Sequence, residues 1–235
     1  MAALQVPGRW EDVSPQWVTA VLAPRFPGAE VADVTLLWTS GGTTPTEGFQ
    51  IGLRKRVPLG LERAAKRLPA LVARMPPDEI VDHWARYVAL LPLDPTLLPA
   101  DAHIGNTYLL PGDDVGFLDW QVVRRGHWSQ DAGYFLQGAL TEADRRAADR
   151  DLITTYLTEF DSAADVMDAW LWYRASAAYG LAIWLSTLGT DGYQPHDVSG
   201  ELAARYAAAF VELDTLDALT MLEAVPEAVL ERKDS

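Results

Sequence analysis

Three polar side chains in one stretch of the sequence have types and spacings that suit chemistry better than packing. Asn106 follows Asp101 by five positions, across a short turn that contains Gly105, and Asp119 comes thirteen positions after Asn106. A positioned carboxylate can accept a proton from a hydroxyl group. Mg²⁺ is a hard cation that binds oxygen atoms, such as those of carboxylates, amide carbonyls and water. The set therefore indicates acid-base chemistry next to a divalent cation.

The segment between Asn106 and Asp119 is predicted to be a β-hairpin. Residues 107–110 and 115–118 are rich in side chains that favour strands, and the turn between them begins with Pro111-Gly112. Proline presets φ in such a turn, and glycine permits a positive φ. The hairpin would return Asp119 to the neighbourhood of Asn106 and of the earlier aspartate. The two carboxylates and the amide would then face one pocket.

Phosphoryl transfer from ATP requires such a set: one carboxylate that orients and deprotonates the attacking hydroxyl, and an Asn and an Asp that hold magnesium. The stretch resembles the catalytic core of the aminoglycoside phosphotransferase and choline kinase-like families, distant relatives of protein kinases. Their pattern is H-G-D-x-H-x-x-N, a short hairpin, and then I-D-W or I-D-F. Residues 101–106 match from the aspartate onward, and residues 117–120 match the second part. The resemblance implies that Asp101 is the catalytic base and that Asn106 and Asp119 hold Mg²⁺.

Two further positions enter this comparison. Asp131 looks like the aspartate with which the family braces its catalytic loop, and His103 would be a structural neighbour of the base. The family has His-Gly before the catalytic aspartate, whereas this chain has Pro99-Ala100, so the resemblance does not fix the orientation of the aspartate. From the residues alone, Asp131 could instead be an ordinary helix N-cap, and Asp101-x-His103 with Asp119 could form the metal site of a hydrolase.

The nucleotide-binding part of such an enzyme is expected to be reduced. A kinase-like lobe needs several strands and a strand lysine for the phosphates. The lysines of the chain are Lys55, Lys66 and Lys233, and the first lies in Arg54-Lys55-Arg56, which is predicted to be a charged surface loop. No nucleotide-binding residue is therefore assigned. We predict that residues 1–52 are a remnant of the N-terminal lobe and that residues 53–235 form a helical C-terminal lobe with the catalytic and metal-binding loop.

The expected fold class is α+β and predominantly helical: a protein-kinase-like C-terminal lobe with a short catalytic β-hairpin and a reduced N-terminal helix-strand remnant. Ser14-Pro15 predicts the start of a helix, and residues 31–38 have the composition of a strand. Pro69 is expected to divide the amphipathic stretch 60–75 into two short helices. Residues 164–188 predict one long buried helix; its apolarity comes close to that of a membrane span.

The composition of the chain indicates which classes of partner it can bind. The 235 residues carry a formal charge of −14, and residues 141–235 hold 18 acidic against 7 basic side chains. This charge repels nucleic acid phosphates and anionic lipid and suits a cationic substrate, although a soluble acidic surface explains it as well. The chain has no cysteine, which is compatible with a reducing cytoplasm, and its first residues do not predict a signal peptide.

These observations lead to one function and one alternative. The first is an ATP- and Mg²⁺-dependent phosphotransferase that acts on a hydroxyl of a small molecule, such as an aminoglycoside-like or choline-like compound. It would be cytoplasmic, bind neither nucleic acid nor membranes, and self-associate through the surface that a full N-terminal lobe would cover. The alternative is a catalytically inactive kinase-like protein that binds a ligand or a partner.

Overall fold

The computed structural model describes residues 13–24, 26–34, 46–92, 96–112, 114–159 and 166–224. The chain forms two compact units, Met1–Thr44 and Pro45–Ser235. The second unit carries all of the described strands and all but one of the described helices. The division at residues 52 and 53 concerns lobes of a family fold, and it stays a prediction.

The described secondary structure is mostly helical, as predicted. The helices are α1 (Pro15–Leu22), α2 (Thr46–Ala64), α3 (Ala70–Ala73), α4 (Pro77–Leu90), α5 (Ser129–Ala139), α6 (Glu142–Glu159), α7 (Val166–Ala175), α8 (Ala177–Leu188), α9 (His196–Glu212) and α10 (Thr215–Glu223). The strands are β1 (Leu97–Leu98), β2 (Thr107–Leu109), β3 (Val115–Phe117) and β4 (Arg124–Arg125). They form two antiparallel pairs, β1 with β4 and β2 with β3.

In the first unit, the predicted helix α1 is confirmed. The hydroxyl of Ser14 accepts a hydrogen bond from the backbone N–H of Trp17 at 3.1 Å, and Pro15 occupies the first helical position. Residues 31–34 are not in a strand, and Val31 donates its N–H to the hydroxyl of Thr19. The rest of the predicted strand, residues 35–38, lies outside the described residues.

The second unit is built around α8, which packs against α2, α4, α5 and α9. Its buried side chains include Leu181, Leu185 and Leu188, so the helix predicted to be buried is indeed central. The helices approach closely because Gly60 of α2 has no side chain. A Cβ atom on this glycine would lie 1.8 Å from the carbonyl oxygen of Leu185. In the part of the chain that the structure describes, no helix combines the length and apolarity that a membrane span requires.

The prediction of one helix over residues 164–188 is wrong, because α7 ends at Ala175 and α8 begins at Ala177. In a continuous helix the carbonyl of Tyr173 would accept the N–H of Ala177. Here it accepts hydrogen bonds from the side-chain amide of Gln137 and from the hydroxyl of Ser176, both at 2.8 Å. Gln137 belongs to α5, so a tertiary contact interrupts the helix.

The surface loop predicted at Arg54-Lys55-Arg56 is also wrong, since all three residues lie within α2. The side chains of Leu53 and Val57 are fully buried, which places the three basic residues on a helix with one apolar face. The guanidinium of Arg54 makes ion pairs with Asp78 and Asp82 of α4. The segment thus forms ion pairs with a second helix, although its own sequence resembles that of a charged loop.

Three smaller predictions have mixed outcomes. Pro69 does separate two helical segments, with α2 ending at Ala64 and α3 beginning at Ala70. His83, which falls beside the apolar stripe of α4 and suggests a surface or boundary position, is only 7% exposed and packs against the ring of Phe210. The turn signals over residues 189–200 suggest a loop, but only residues 189–195 are outside a helix, because α9 begins at His196.

Candidate active site

The chain enters the site through β1 and the turn that follows it. Leu98 of β1 pairs with Arg124 of β4, and Ala100 then adopts a left-handed conformation with φ of +70°. L-residues avoid this region, which glycine occupies without cost. The departure from the family pattern at Ala100 therefore falls where the backbone needs the freedom of glycine. The carboxylate of Asp131 fixes this turn by accepting the N–H of Ala100 at 2.8 Å.

This strained turn gives a prediction that uses a matched control. Ala100 and Ala102 are both buried alanines of the same loop, and only Ala100 has a positive φ. We expect Ala102→Gly to cost about 1–2 kcal/mol, from the lost methyl group and the greater freedom of glycine in the unfolded chain. We expect Ala100→Gly to be close to neutral, because relief of about 1–2 kcal/mol of left-handed strain offsets the same losses. Urea unfolding measures both; equal destabilisation by the two substitutions would contradict the strain at Ala100.

The side chains of Asp101 and Asn106 meet directly. The amide nitrogen of Asn106 donates to the backbone carbonyl of Asp101 at 3.0 Å and faces its carboxylate at 3.4 Å. Because the nitrogen of the amide is turned toward Asp101, its oxygen points the other way. That oxygen is the atom through which Asn106 would bind a metal ion.

The predicted hairpin is confirmed and brings Asp119 to the same place. Strands β2 and β3 pair with Thr107 opposite Phe117, and the N–H of Leu118 donates to the carbonyl of Asn106 at 2.7 Å. Asp119 is the next residue after Leu118, so this hydrogen bond places Asp119 close to Asn106. Its backbone is left-handed, with φ of +56°, and its carboxylate makes no hydrogen bond or ion pair with any described residue.

The site has the electrostatics of a carboxylate cluster. Partial burial raises the pKa of Asp101 above its usual range, and the nearby charge of Asp119 raises it further. His103 and the hydrogen bond from Asn106 act in the opposite direction. The effect of Asp119 on the pKa of Asp101 follows from the closeness of the two carboxylates. A raised pKa makes Asp101 a better proton acceptor once it is ionised.

Asp131 braces the loop and does not cap a helix. The N-cap position of α5 is Trp128, and Asp131 lies in the first turn with its carboxylate buried. Burial raises the pKa of Asp131, while the N–H of Ala100 and the charge of Arg124 oppose this shift. The alternative of an ordinary N-cap is therefore wrong, because the carboxylate is used by a backbone group 31 positions earlier in the chain.

His103 lies against Asp101, as the resemblance implies for a structural neighbour. Its Nδ1 accepts the N–H of Gly105 at 3.0 Å, and its Nε2 lies 3.8 Å from the carboxylate of Asp101. Trp184 of α8 contacts the ring edge-on, with the ring centroids 5.5 Å apart. From the sequence, Trp184 is one of several aromatic residues predicted to belong to the core or, second, to a substrate-stacking wall; its contact with His103 could not be predicted from spacing.

The basic residues after the hairpin take different positions. Arg124 is partly buried beside Asp131, and Arg125 is exposed. His127 is 6% exposed and its Nδ1 lies 2.7 Å from the hydroxyl of Ser129, within the helical core. Of these side chains only Arg124 is both near Asp131 and partly open to solvent.

The donor set fits magnesium better than a transition metal. Among the described residues, no group of three His, Cys, Asp or Glu side chains is arranged to hold a metal ion. A hydrolase site built from Asp101, His103 and Asp119 would be such a group, so this alternative is not supported. Magnesium binds through one or two carboxylates together with water and substrate phosphates. The amide oxygen of Asn106 and the carboxylate of Asp119 are suitable ligands of this kind.

Comparison with known proteins agrees with this geometry. Residues 32–174 match the family model described as the phosphotransferase enzyme family. The chain belongs to this family. The matched range is more than half of the sequence and includes Asp101, Asn106, Asp119 and Asp131. No curated protein and no solved structure matches the chain. The family resemblance that the sequence indicated is thus confirmed. The truncated N-terminal lobe of this phosphotransferase-family protein stays a prediction.

Proposed function

We propose that this phosphotransferase-family protein transfers a phosphoryl group from ATP to a hydroxyl group of a small molecule. The observation that carries the proposal is the convergence of Asp101, Asn106 and Asp119. The contact between the amide of Asn106 and Asp101 joins the first two, and the bond from Leu118 to Asn106 brings the third beside them. One base and two oxygen ligands are the groups that phosphoryl transfer requires.

In this proposal Asp101 orients the acceptor hydroxyl and takes its proton. The hydroxyl oxygen forms a bond to the γ-phosphorus while the bond between that phosphorus and the leaving ADP oxygen breaks. The raised pKa of Asp101 suits a base, and its partial exposure allows an acceptor to reach it. Asp131 and His103 hold the loop that carries the base.

Asn106 and Asp119 would hold Mg²⁺. The ion, when bound, neutralises the charge of the phosphates and of the group in transfer. The exposure of Asp119 leaves its carboxylate accessible for this role. The left-handed backbone at Asp119 supports a functional reading of this position, since strain of this kind clusters at active sites.

The substrate class follows from charge. A protein with a formal charge of −14 attracts cationic acceptors, and aminoglycoside-like and choline-like compounds are cationic molecules with hydroxyl groups. The same charge disfavours nucleic acid and anionic membranes. We place the protein in the cytoplasm and expect it to self-associate through exposed apolar side chains near the hairpin, including Leu109, Val115 and Trp120. Light scattering measures the self-association.

One observation favours the alternative, a catalytically inactive kinase-like protein that binds a ligand or a partner. Lys55 lies exposed on α2, and Lys66 lies exposed in the turn that follows. Within the described ranges, no strand carries a lysine that could contact the α and β phosphates of ATP. An inactive relative would keep the loop of Asp101 without binding the nucleotide.

Isothermal titration calorimetry with ATP separates the two functions. We expect the full chain to bind ATP in the presence of Mg²⁺ and to bind it more weakly in EDTA, because Mg²⁺ held by Asn106 and Asp119 would attract the phosphates. The Asp119→Asn variant is expected to lose the difference between the two conditions. Absence of binding at millimolar ATP with Mg²⁺ would overturn the phosphotransferase proposal and favour the inactive protein.

A further inference from the structure

His103 contacts both functional parts of the catalytic loop. Its Nδ1 accepts the N–H of Gly105 at 3.0 Å, within the 3-10 turn of residues 104–106 that ends at Asn106. This bond leaves the Nδ1 atom of the neutral ring without a proton, so the proton is on Nε2. Nε2 faces the carboxylate of Asp101 at 3.8 Å. One ring therefore touches the turn of the metal ligand and lies beside the base.

Aromatic residues of the helical core fix the position of the His103 ring. Trp184 of α8 is 3% exposed and meets the ring of His103 edge-on, with an angle of 85° between the ring planes. Trp184 in turn lies parallel to the ring of Tyr134 of α5, which stacks on Tyr206 of α9. Close-packed aromatic rings of this kind resist rotation. The imidazole thus rests on a rigid support contributed by three helices.

Gly105 leaves room for the ring from the other side. A Cβ atom on Gly105 would lie 2.8 Å from Cε1 and 2.9 Å from Nδ1 of His103. Any larger residue would push the ring away from the loop or toward Trp184. The ring is therefore confined between the backbone of Gly105 and the indole of Trp184.

We propose that His103, held by Trp184 and Gly105, is the positioning residue that fixes the base Asp101 relative to the metal ligand Asn106. This inference rests on the proposed function of these two residues. Neither Trp184 nor His103 touches the reacting atoms. Their role is to keep the carboxylate and the amide in one geometry while a substrate binds and leaves.

The first test is structural and does not depend on turnover. In the ¹⁵N-labelled full chain, NMR is expected to show His103 with an unprotonated Nδ1 and a slowly exchanging amide at Gly105. Trp184→Phe should keep the slow exchange, because phenylalanine also offers an aromatic surface. Trp184→Leu and Gly105→Ala should each speed the exchange at Gly105, by about tenfold or more. Unchanged exchange in both variants, or a proton on Nδ1 of His103, would overturn the proposal.

The second test is kinetic and uses formation of ADP from ATP and Mg²⁺ with choline or an aminoglycoside as acceptor. We expect Trp184→Leu and His103→Asn to lower kcat by about 10- to 100-fold with little change in KM for ATP, because misplacement of reacting groups costs rate more than binding. His103→Asn keeps an acceptor for the N–H of Gly105, so it should lose kcat while the slow exchange persists. Trp184→Phe should restore most of kcat.

A matched control separates positioning from general loss of packing. Trp170 of α7 lies against Arg150 and Tyr173, away from the catalytic loop, so Trp170→Leu should leave both kcat and the exchange at Gly105 unchanged. An equal loss of kcat in Trp170→Leu and Trp184→Leu would overturn the specific role of Trp184. If the wild-type chain forms no ADP, the proposed function fails, and the exchange at Gly105 alone decides whether Trp184 and His103 fix the loop.

Discussion

The Asp119→Ala variant is expected to lose magnesium-dependent turnover, by roughly 10³-fold or more, while it keeps its fold. A magnesium ion contributes several kcal/mol to stabilising the charge of a transferred phosphoryl group, and each 1.36 kcal/mol is worth a factor of ten in rate. Removing the carboxylate removes one of the two protein ligands that we assign to the ion. The measurement is formation of ADP from ATP at increasing magnesium concentrations.

The fold should tolerate this substitution because the side chain of Asp119 is exposed and has no hydrogen-bond or ion-pair partner among the described residues. Its left-handed backbone is the one source of cost, since alanine accepts this conformation less readily than aspartate. We expect the free energy of unfolding to fall by no more than about 1 kcal/mol.

Two companion variants make the result specific. Asp119→Asn tolerates the left-handed backbone and keeps one oxygen but loses the negative charge, so it should lose most of the turnover and show no loss of stability. Asp114→Ala removes an exposed aspartate from the turn of the same hairpin and should leave turnover unchanged. Normal magnesium-dependent turnover in Asp119→Asn would refute the assignment of Asp119 as a metal ligand.

The parts of the site that the sequence predicted are those determined by local contacts. The turn at Pro111-Gly112 specifies a hairpin, and the hairpin specifies which residue lies beside Asn106, so the neighbourhood of Asp119 could be predicted from spacing. The convergence of Asp101 with Asn106 is equally local, since five positions and a single 3-10 turn separate them.

The parts that the sequence did not predict depend on contacts between distant segments. Spacing alone left open whether Asp131 caps its own helix or braces the loop by accepting the N–H of Ala100, and it did not predict that Gln137 takes the carbonyl that would have joined α7 to α8. Arg54 likewise lies in a helix whose apolar face is buried in the core, and it forms ion pairs with two acids of α4. In each case the local pattern allowed two structures, and the one that forms makes contacts more than 20 positions away.

The family pattern alone does not predict the backbone conformation at Ala100. The pattern predicts glycine at this position, and the sequence shows that glycine is absent, but only the structure shows that alanine takes the left-handed conformation there. The hydrogen bond from Ala100 to Asp131 explains how the conformation is held. The orientation of Asp101 therefore depends on a contact with α5, which the local sequence of the loop does not reveal.

The Asp101→Asn variant is expected to lower kcat by about 10²- to 10⁴-fold, the range in which a positioned general base contributes to enzymatic rates. Asparagine keeps the shape of the side chain and can still accept the hydrogen bond from Asn106, but it cannot take the proton of the acceptor hydroxyl. The wild-type rate should also fall as the pH is lowered through the raised pKa of Asp101. The residual rate of Asp101→Asn should not follow this decline.

The same substitution should increase stability at neutral pH. Because the pKa of Asp101 is higher in the folded than in the unfolded protein, the folded state binds this proton more tightly. The ionised carboxylate therefore destabilises the fold at every pH above its folded pKa, and this penalty disappears below the unfolded pKa of about 3.9. Asparagine carries no such penalty.

Urea unfolding in EDTA at a series of pH values measures this effect. We expect Asp101→Asn to be more stable than the wild type at pH 7, by less than about 1 kcal/mol because 41% of the Asp101 side chain is exposed and water screens its charge. The advantage should shrink toward zero as the pH approaches 4. If Asp101→Asn loses activity and gains stability only at neutral pH, Asp101 is a base that is kept in an unfavourable environment for function. If the variant is less stable than the wild type at pH 7, the carboxylate has a structural role.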